Sequence, residues 1–167
     1  GRMAEPDAIA AFVGGLLREK KKSLQGKRLI VTAGATIEAI DPVRFISNHS
    51  SGKMGYAIAK MAMLRGADVT LVSGRTALTP PPFVRVVPVV TARDMYEAVT
   101  SVSQEQDIII KAAAVADYRP ASVSDEKIKK KDDDMSIALE RTDDILKYLG
   151  EHKRANQFLC GFSMRSE

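Results

Sequence analysis

Cysteine occurs once in this 167-residue chain, at Cys160. That excludes an internal disulfide framework and fits a reducing compartment. No apolar run approaches the roughly 18 residues that a membrane-spanning helix requires, and no signal-peptide pattern is visible. Charge of one sign does not dominate: 25 Lys and Arg against 21 Asp and Glu leave a net +4. Such a balance suits a phosphate-bearing ligand but does not by itself indicate nucleic acid. The expectation is a cytoplasmic globular protein with neither a membrane nor a nucleic acid as partner. Its apolar content of 45% is ordinary for that class.

Organisation is plain along most of the chain. Residues 8–17 place Ile9, Phe12, Val13, Leu16 and Leu17 at helical spacing, with Pro6 and Asp7 at the start. A polar KEKKKSLQGK linker follows. RLIVTAG (28–34) reads as a buried strand running into a glycine turn. Residues 52–65 read as a helix with Met54, Ile58, Met61 and Leu64 along one stripe. ADVTLVSG (67–74), VRVVPVV (84–90), DIIIKAAA (107–114) and NQFLCGF (156–162) are further strands. TARDMYEAVTSV is a helix capped by Thr91, with Asp94 at its third position, and RTDDILKYLG (141–150) is a shorter one. The prolines of RTALTPPP make that stretch a loop. Val115 to Leu139 is polar and basic, without a clear period.

Strands of solid Val, Ile and Leu alternating with helices imply a mainly parallel sheet covered on both faces. With right-handed crossovers, this is a Rossmann-like three-layer α/β domain. Ligands in such sheets lie beyond the carboxyl ends of the strands. TAGATIEAIDPVRFISNHSSGKMG, SGRT and AAAVADYRP therefore share one rim.

The usual phosphate cradles are absent from that rim. No G-x-G-x-x-G follows the first strand, and Gly52-Lys53 lacks both the preceding glycine and the following Ser or Thr of a P-loop. No serine–histidine–acid arrangement and no metal-ligating cluster is evident. What remains is a loop of about 18 residues that ends at a helix amino terminus, where backbone N–H groups and the helix dipole favour an anion. Ser50, Ser51 and Lys53 could add donors there. Alternatively, Ser50 or Ser51 simply caps the helix.

TAGATIEAIDPVRFISNHSSGKMGYAIA, AAAVADYRP and KIKK, in this order, resemble phosphopantothenoylcysteine synthetase. The likeness runs from about Leu24 to Phe162. In bacteria this domain usually follows a flavin-dependent decarboxylase, and GRMAEPDAI resembles the tail of that neighbour. The implied division is a linker and helix over 1–25, then a synthetase domain over 26–167. The resemblance implies activation of 4′-phosphopantothenate by CTP with Mg²⁺ to an acyl-cytidylate and pyrophosphate. The amine of L-cysteine then displaces CMP. FMN would belong only to the decarboxylase domain, and the full-length protein would be a homodimer.

Residue by residue, Asn48 matches the asparagine at the acyl phosphate, and Lys127 matches a mobile catalytic lysine. Nucleotide contacts would fall to Gly34, Ser50, Ser51, Gly52, Ala113, Asp117, Lys129 and Lys130 in addition to Lys127. Thr36 and Arg44 would join Asn48 at the substrate; the Arg44 fork suits phosphate or carboxylate. No protein ligand for a metal is implied. His49 would order the loop rather than act as a base. Residues 119–134 would form a lid with few apolar contacts, poorly ordered without ligand.

Two departures accompany the match. Ala35 stands where the family has proline. The chain also stops at GFSMRSE, where Arg165 and Ser166 depart from the pattern and the family continues with strands and lysines. The expectation is therefore a domain truncated at its carboxyl end. A non-catalytic CTP-binding module is the alternative reading. An NAD-dependent oxidoreductase is disfavoured by the missing glycine fingerprint and the missing Tyr-x-x-x-Lys pair.

Overall fold

A computed structural model describes residues 5–18, 22–130 and 134–163, so Lys20, Lys21, Lys131, Arg165 and Ser166 lie outside the described residues. Helix α1 (Pro6–Arg18) is followed by strands β1 (Arg28–Ala33), β2 (Ile37–Ala39) and β3 (Phe45–Ser47). Helix α2 (Lys53–Leu64), strands β4 (Asp68–Ser73) and β5 (Arg85–Pro88), helix α3 (Ala92–Thr100) and strand β6 (Ile108–Lys111) come next. Strands β7 (Tyr118–Pro120) and β8 (Leu139–Arg141), helix α4 (Ile145–His152) and strand β9 (Phe158–Gly161) complete the order.

The five expected strands form one parallel sheet in the order β5-β4-β1-β6-β9. Alternation along β1 divides the core. Leu29, Val31 and Ala33 pack with Tyr56, Ala59 and Ala62 of α2 on one face. Ile30 packs with Met95 and Val99 of α3 and with Ile145 and Leu149 of α4 on the other. Both faces are covered, which is why the strands read as unbroken apolar runs. The strand order reverses between β1 and β6, so the crevice beyond that pair is where a ligand is expected.

The stripe expected on α2 has the wrong phase. Met54 and Met61 are exposed, whereas Gly55, Tyr56, Ala59, Ala62 and Leu64 are buried. Small residues face the sheet because helix and strand approach closely: a Cβ on Gly55 would lie 2.5 Å from the Ala33 Cβ and 2.8 Å from the Thr32 carbonyl oxygen. The start of α2 is also not a serine cap. Its cap is Gly52, with φ of 76° and no side-chain cap bond.

At α3 the expected capping box is present, with Thr91 and Asp94 exchanging hydrogen bonds. Helix α4 starts later than expected because Leu139–Arg141 pairs with Tyr118–Pro120 and Asp144 provides the cap. Two antiparallel ribbons, β2–β3 and β7–β8, thus join the parallel sheet. The first is held by Glu38, whose buried carboxylate accepts the Ala92 N–H at 2.7 Å at the amino end of α3. That bond adds to the Asp94 cap, so the first turn of α3 is held from two sides.

Replacing Gly55 by Ala improves intrinsic helix propensity by about 1 kcal/mol. The added methyl nevertheless meets the β1 backbone, which cannot rotate away. A net destabilisation of about 1–3 kcal/mol is expected, or a melting temperature lower by roughly 2–10 °C. Thermal denaturation of Gly55→Ala checks this, and an unchanged or higher melting point would show that the contact is not limiting.

Candidate functional site

The crevice is walled on one side by the chain leaving β6. A segment leaving a parallel sheet loses its ladder partners, and its amides need others. Two buried threonines supply them. The Thr32 hydroxyl accepts the Ala112 and Ala113 N–H groups, each at 3.1 Å, and the Thr36 hydroxyl accepts that of Ala116 at 2.9 Å. The backbone adds Ala114 N–H to the Gly34 carbonyl at 2.9 Å and Thr36 N–H to the Ala114 carbonyl at 3.2 Å. Thr142 then donates its hydroxyl to the Ala116 carbonyl at 2.6 Å. This wall is therefore fixed along its length.

The facing wall is the stretch from Asn48 into α2. The Asn48 side-chain amide donates to the Ala114 carbonyl at 3.2 Å, which ties the two walls together. Ser47 donates its hydroxyl to the Thr36 carbonyl at 2.8 Å. Ser50 and Ser51 turn their hydroxyls back to the Gly52 and Lys53 N–H groups, at 3.3 and 3.5 Å. Thr76 braces the loop from outside by donating to the Ser51 carbonyl at 3.0 Å. Gly52 sits on Gly34: a Cβ at Gly52 would lie 3.2 Å from the Gly34 nitrogen, and both glycines have positive φ. A side chain at Gly52 would push the start of α2 away from the end of β1.

Between the walls lies a cleft of about 720 Å³. Asn48, Ser50, Ser51, Gly52, Ala113 and Asp117, all expected at a site, line it together. His49 lines it as well. A second depression of about 540 Å³ shares Lys111, Asp117 and Phe162 with the first and runs to Arg141 and the amino end of α4. The volumes suit a small organic ligand. The amino terminus of α2 opens on this groove, which favours anionic groups, whereas that of α4 is capped by Asp144 and flanked by Asp143.

Other expected site residues lie elsewhere. Thr36 is fully buried and its hydroxyl is taken by Ala116, so its place is in the scaffold beneath the cleft. Gly34 lies under Gly52 rather than at the surface of the cleft. Lys127, Lys129 and Lys130 are exposed and do not line the cleft. Arg44 is engaged, with Nε 3.0 Å from Asp41 Oδ2 and a terminal nitrogen 2.9 Å from the Ile128 carbonyl oxygen. The 119–130 part of the expected lid is not a free strand of chain. It is tied by β7, by Ser124 N–H to the Ile40 carbonyl at 3.0 Å, and by Ile128.

Two lysines complete the cleft, Lys53 and Lys111. Lys111 carried a signal in the sequence that was passed over: a lysine ending the apolar run IIIK stands at a carboxyl-terminal strand end, on the ligand rim. Among the described residues no group of three His, Cys, Asp or Glu gathers as a metal site. Asp41 is buried, and the Arg44 guanidinium, with the Val43, Arg44 and Ile128 N–H groups, holds its carboxyl well below the usual carboxylate range.

The profile of the DNA/pantothenate metabolism flavoprotein C-terminal domain matches residues 24–167. The coenzyme A biosynthesis bifunctional protein CoaBC of Bacillus subtilis strain 168 is 48% identical over 169 residues, covering all of this chain and 41% of that protein. The chain therefore spans about two fifths of the length of that relative. A crystal structure of the C-terminal domain of a coenzyme A biosynthesis bifunctional protein CoaBC superposes with a TM-score of 0.73 at 55% identity, covering 83% of this chain and 65% of that one. A Cab2 mutant in complex with phosphopantothenate-cysteine superposes with a TM-score of 0.74 at 18% identity, over 96% of this chain and 70% of that one, a likeness of fold.

The Asp41 environment has a pH consequence. A carboxyl whose folded-state pKa lies below its ordinary value of 3.8 contributes in full above that value and loses its contribution as pH falls through the folded value. Below about pH 4, the parent protein should therefore lose stability more steeply than Asp41→Asn. Urea midpoints measured from about pH 6 to pH 2 check this; parallel curves would show that Asp41 is not responsible for the acid limb.

Proposed function

The chain belongs to the DNA/pantothenate metabolism flavoprotein C-terminal domain family, and from that membership we propose that it is the phosphopantothenate–cysteine ligase module of coenzyme A biosynthesis. The observation that carries the reading is the single groove at the β1–β6 switch, which joins Asn48, the Ser50–Gly52 turn and Asp117. 4′-Phosphopantothenate presents its carboxylate, CTP its α-phosphate, and L-cysteine its amine.

In the first step a carboxylate oxygen forms a bond to the α-phosphorus and pyrophosphate departs. In the second, the cysteine amine bonds to the acyl carbon, loses a proton, and CMP leaves with its phosphate oxygen. Neither step needs a protein nucleophile. The chain's part is to hold anions together and to steady the charge that moves between them. The amino terminus of α2, with Ser50, Ser51, Lys53 and Lys111 around it, suits the phosphates. Asn48 holds one amide hydrogen on Ala114 and presents the rest of its amide, a neutral group that does not repel phosphate, beside the reacting centre. Asp117 suits a donor of the cytidine, and Ala113 lets the nucleotide come close to the backbone.

Mg²⁺ is a cofactor of this reading. It prefers six oxygen ligands and commonly takes one or two carboxylates together with substrate phosphates and water. Asp117 is taken by the cytidine on this reading, so substrate phosphates and water would hold the ion, with Asp143 at the edge of the groove as the carboxylate that fits that pattern. When bound, the ion neutralises phosphate charge; the steps above are derived from the chain's own groups. FMN is assigned to the decarboxylase part that relatives carry.

One observation favours a second reading, CTP binding without turnover: Lys127, Lys129 and Lys130 stand outside the cleft. Phosphopantothenate-dependent pyrophosphate release separates the two.

The ligase reading predicts the effect of charge at Asn48. In the full-length protein, Asn48→Asp places a carboxylate where phosphate oxygens gather. At a few ångströms and intermediate dielectric the repulsion is on the order of several kcal/mol, slowing ligation by more than about a hundredfold. Loss of the bond to Ala114 costs about 1 kcal/mol of stability, too little to unfold the domain. Lys127→Gln should lower the rate while leaving the melting temperature in place. Cysteine-dependent product formation alongside pyrophosphate release is the measurement, and near-parent rates in both variants would refute the assignment.

A further inference from the structure

The two oxygens of Asp41 have separate duties. Oδ1 accepts the Val43 N–H at 2.8 Å and the Arg44 N–H at 2.7 Å, which closes the turn between β2 and β3. That alone accounts for an aspartate at this position. Oδ2 is used differently: it accepts from Nε and a terminal nitrogen of Arg44 and from the Ile128 N–H at 3.1 Å. Arg44 in turn donates to the Ile128 carbonyl at 2.9 Å. Ile128 is 84 positions from Arg44, yet both its backbone groups are gripped by this one ion pair.

We propose that Asp41 is a positioning residue that, with Arg44, clamps the backbone of Ile128 and so seats Lys127 and Lys129 beside the rim of the cleft for ligation. The catalytic consequence rests on the ligase reading above; the clamp itself does not.

The geometry places the clamp at a useful spot. Arg44 immediately precedes β3, and Asn48 immediately follows it. At the rise of a strand the four intervening steps cover about 13 Å, so the residue that grips Ile128 sits one short strand away from Asn48. The lysines on either side of Ile128 are exposed, while the residue between them is half-buried. Their backbone is therefore fixed while their side chains stay free to swing. A second tie, Ser124 N–H to the Ile40 carbonyl, anchors the same segment to the same turn. Burying a carboxylate costs desolvation unless its lone pairs are filled; Val43 and Arg44 fill most of them here, and Ile128 adds the one bond from outside the turn. The segment thus pivots on Ile128 instead of moving as a whole.

Asp41→Asn divides the two duties. The asparagine carbonyl can keep the Val43 and Arg44 N–H bonds, but its NH₂ cannot accept from the Arg44 side chain or from Ile128. In the full-length protein, hydrogen exchange at the Ile128 amide should become roughly tenfold to a hundredfold faster, since a bond to a charged acceptor is lost. The kcat for cysteine-dependent product formation should fall about tenfold while KM for CTP and for phosphopantothenate stays within about twofold. Ile128→Pro removes the N–H side of the clamp and leaves the Asp41–Arg44 pair, while also restraining the backbone at 127 and 128, so it keeps the kinetic test open should Asp41→Asn not fold. It should lower kcat in the same way.

Unchanged Ile128 exchange in Asp41→Asn overturns the clamp whatever the activity. Faster exchange with parent-like kcat, or parent-like kcat in folded Ile128→Pro, reduces Asp41 to a turn-closing residue and overturns the positioning role. A parent protein that makes no cysteine-dependent product sinks the ligase reading and the catalytic consequence with it, and the exchange rates still decide the clamp.

Discussion

Amides that leave a parallel sheet have no partner strand, and at the end of β6 that deficit is met by two hydroxyls buried under the first loop. Thr32 serves Ala112 and Ala113, and Thr36 serves Ala116. Because each buried hydroxyl is satisfied in turn, the wall carries little unpaired polarity, and leaving such groups unmade would be costly. Everything at the site hangs from this junction. It sets the spacing of β1 and β6 beyond their ladder, gives Asn48 a fixed carbonyl to hold, and delivers Asp117 to the mouth of the groove. Thr36 therefore serves the site as a scaffold, a use that its neighbours in TAGATIE do not announce.

The second constraint is closeness. Gly52 over Gly34, and Gly55 over Ala33, bring the amino end of α2 down onto the end of β1. The first-turn N–H groups are thereby presented at the floor of the cleft instead of above it. A helix end held at that distance is an anion site without a glycine-rich fingerprint, because the glycines are divided between the strand turn and the helix cap. A chain that matches neither a dinucleotide nor a phosphate-loop pattern can therefore still turn helix N–H groups toward an anion.

How much of this was legible depends on the range of each interaction. The five core strands and the three-layer class followed from short-range pattern, since solid apolar runs demand cover on both sides. The α3 capping box is likewise local. The phase of α2 was misread because periodicity weighs large apolar residues, and here the sheet selects small ones. The ribbons β2–β3 and β7–β8 were missed because three-residue strands carry no period, and their partners lie outside any window. Asn48, Ser50, Ser51, Gly52, Ala113 and Asp117, which the motifs single out, come together along one cleft. The places of Thr36 and Arg44 depend on contacts between distant segments. No local pattern contains them: Arg44 looks like a free cation in DPVRF and is held by Asp41 and a backbone carbonyl near residue 128.

Charge follows a similar division between fixed and free. The amino end of α2, Asn48, Lys53 and Lys111 line the groove, while the lysines of KIKK stay outside on a pinned backbone. On the ligase reading, cations already in the groove hold ground-state anions and transition state alike, which adds affinity without rate. On that reading, the groups of the wall hold the ligand, while Lys127 and Lys129 at its edge serve the charge that develops during reaction. That separation requires a boundary between what moves and what does not. In this fold the boundary is drawn at Ile128 by one buried carboxylate and one guanidinium.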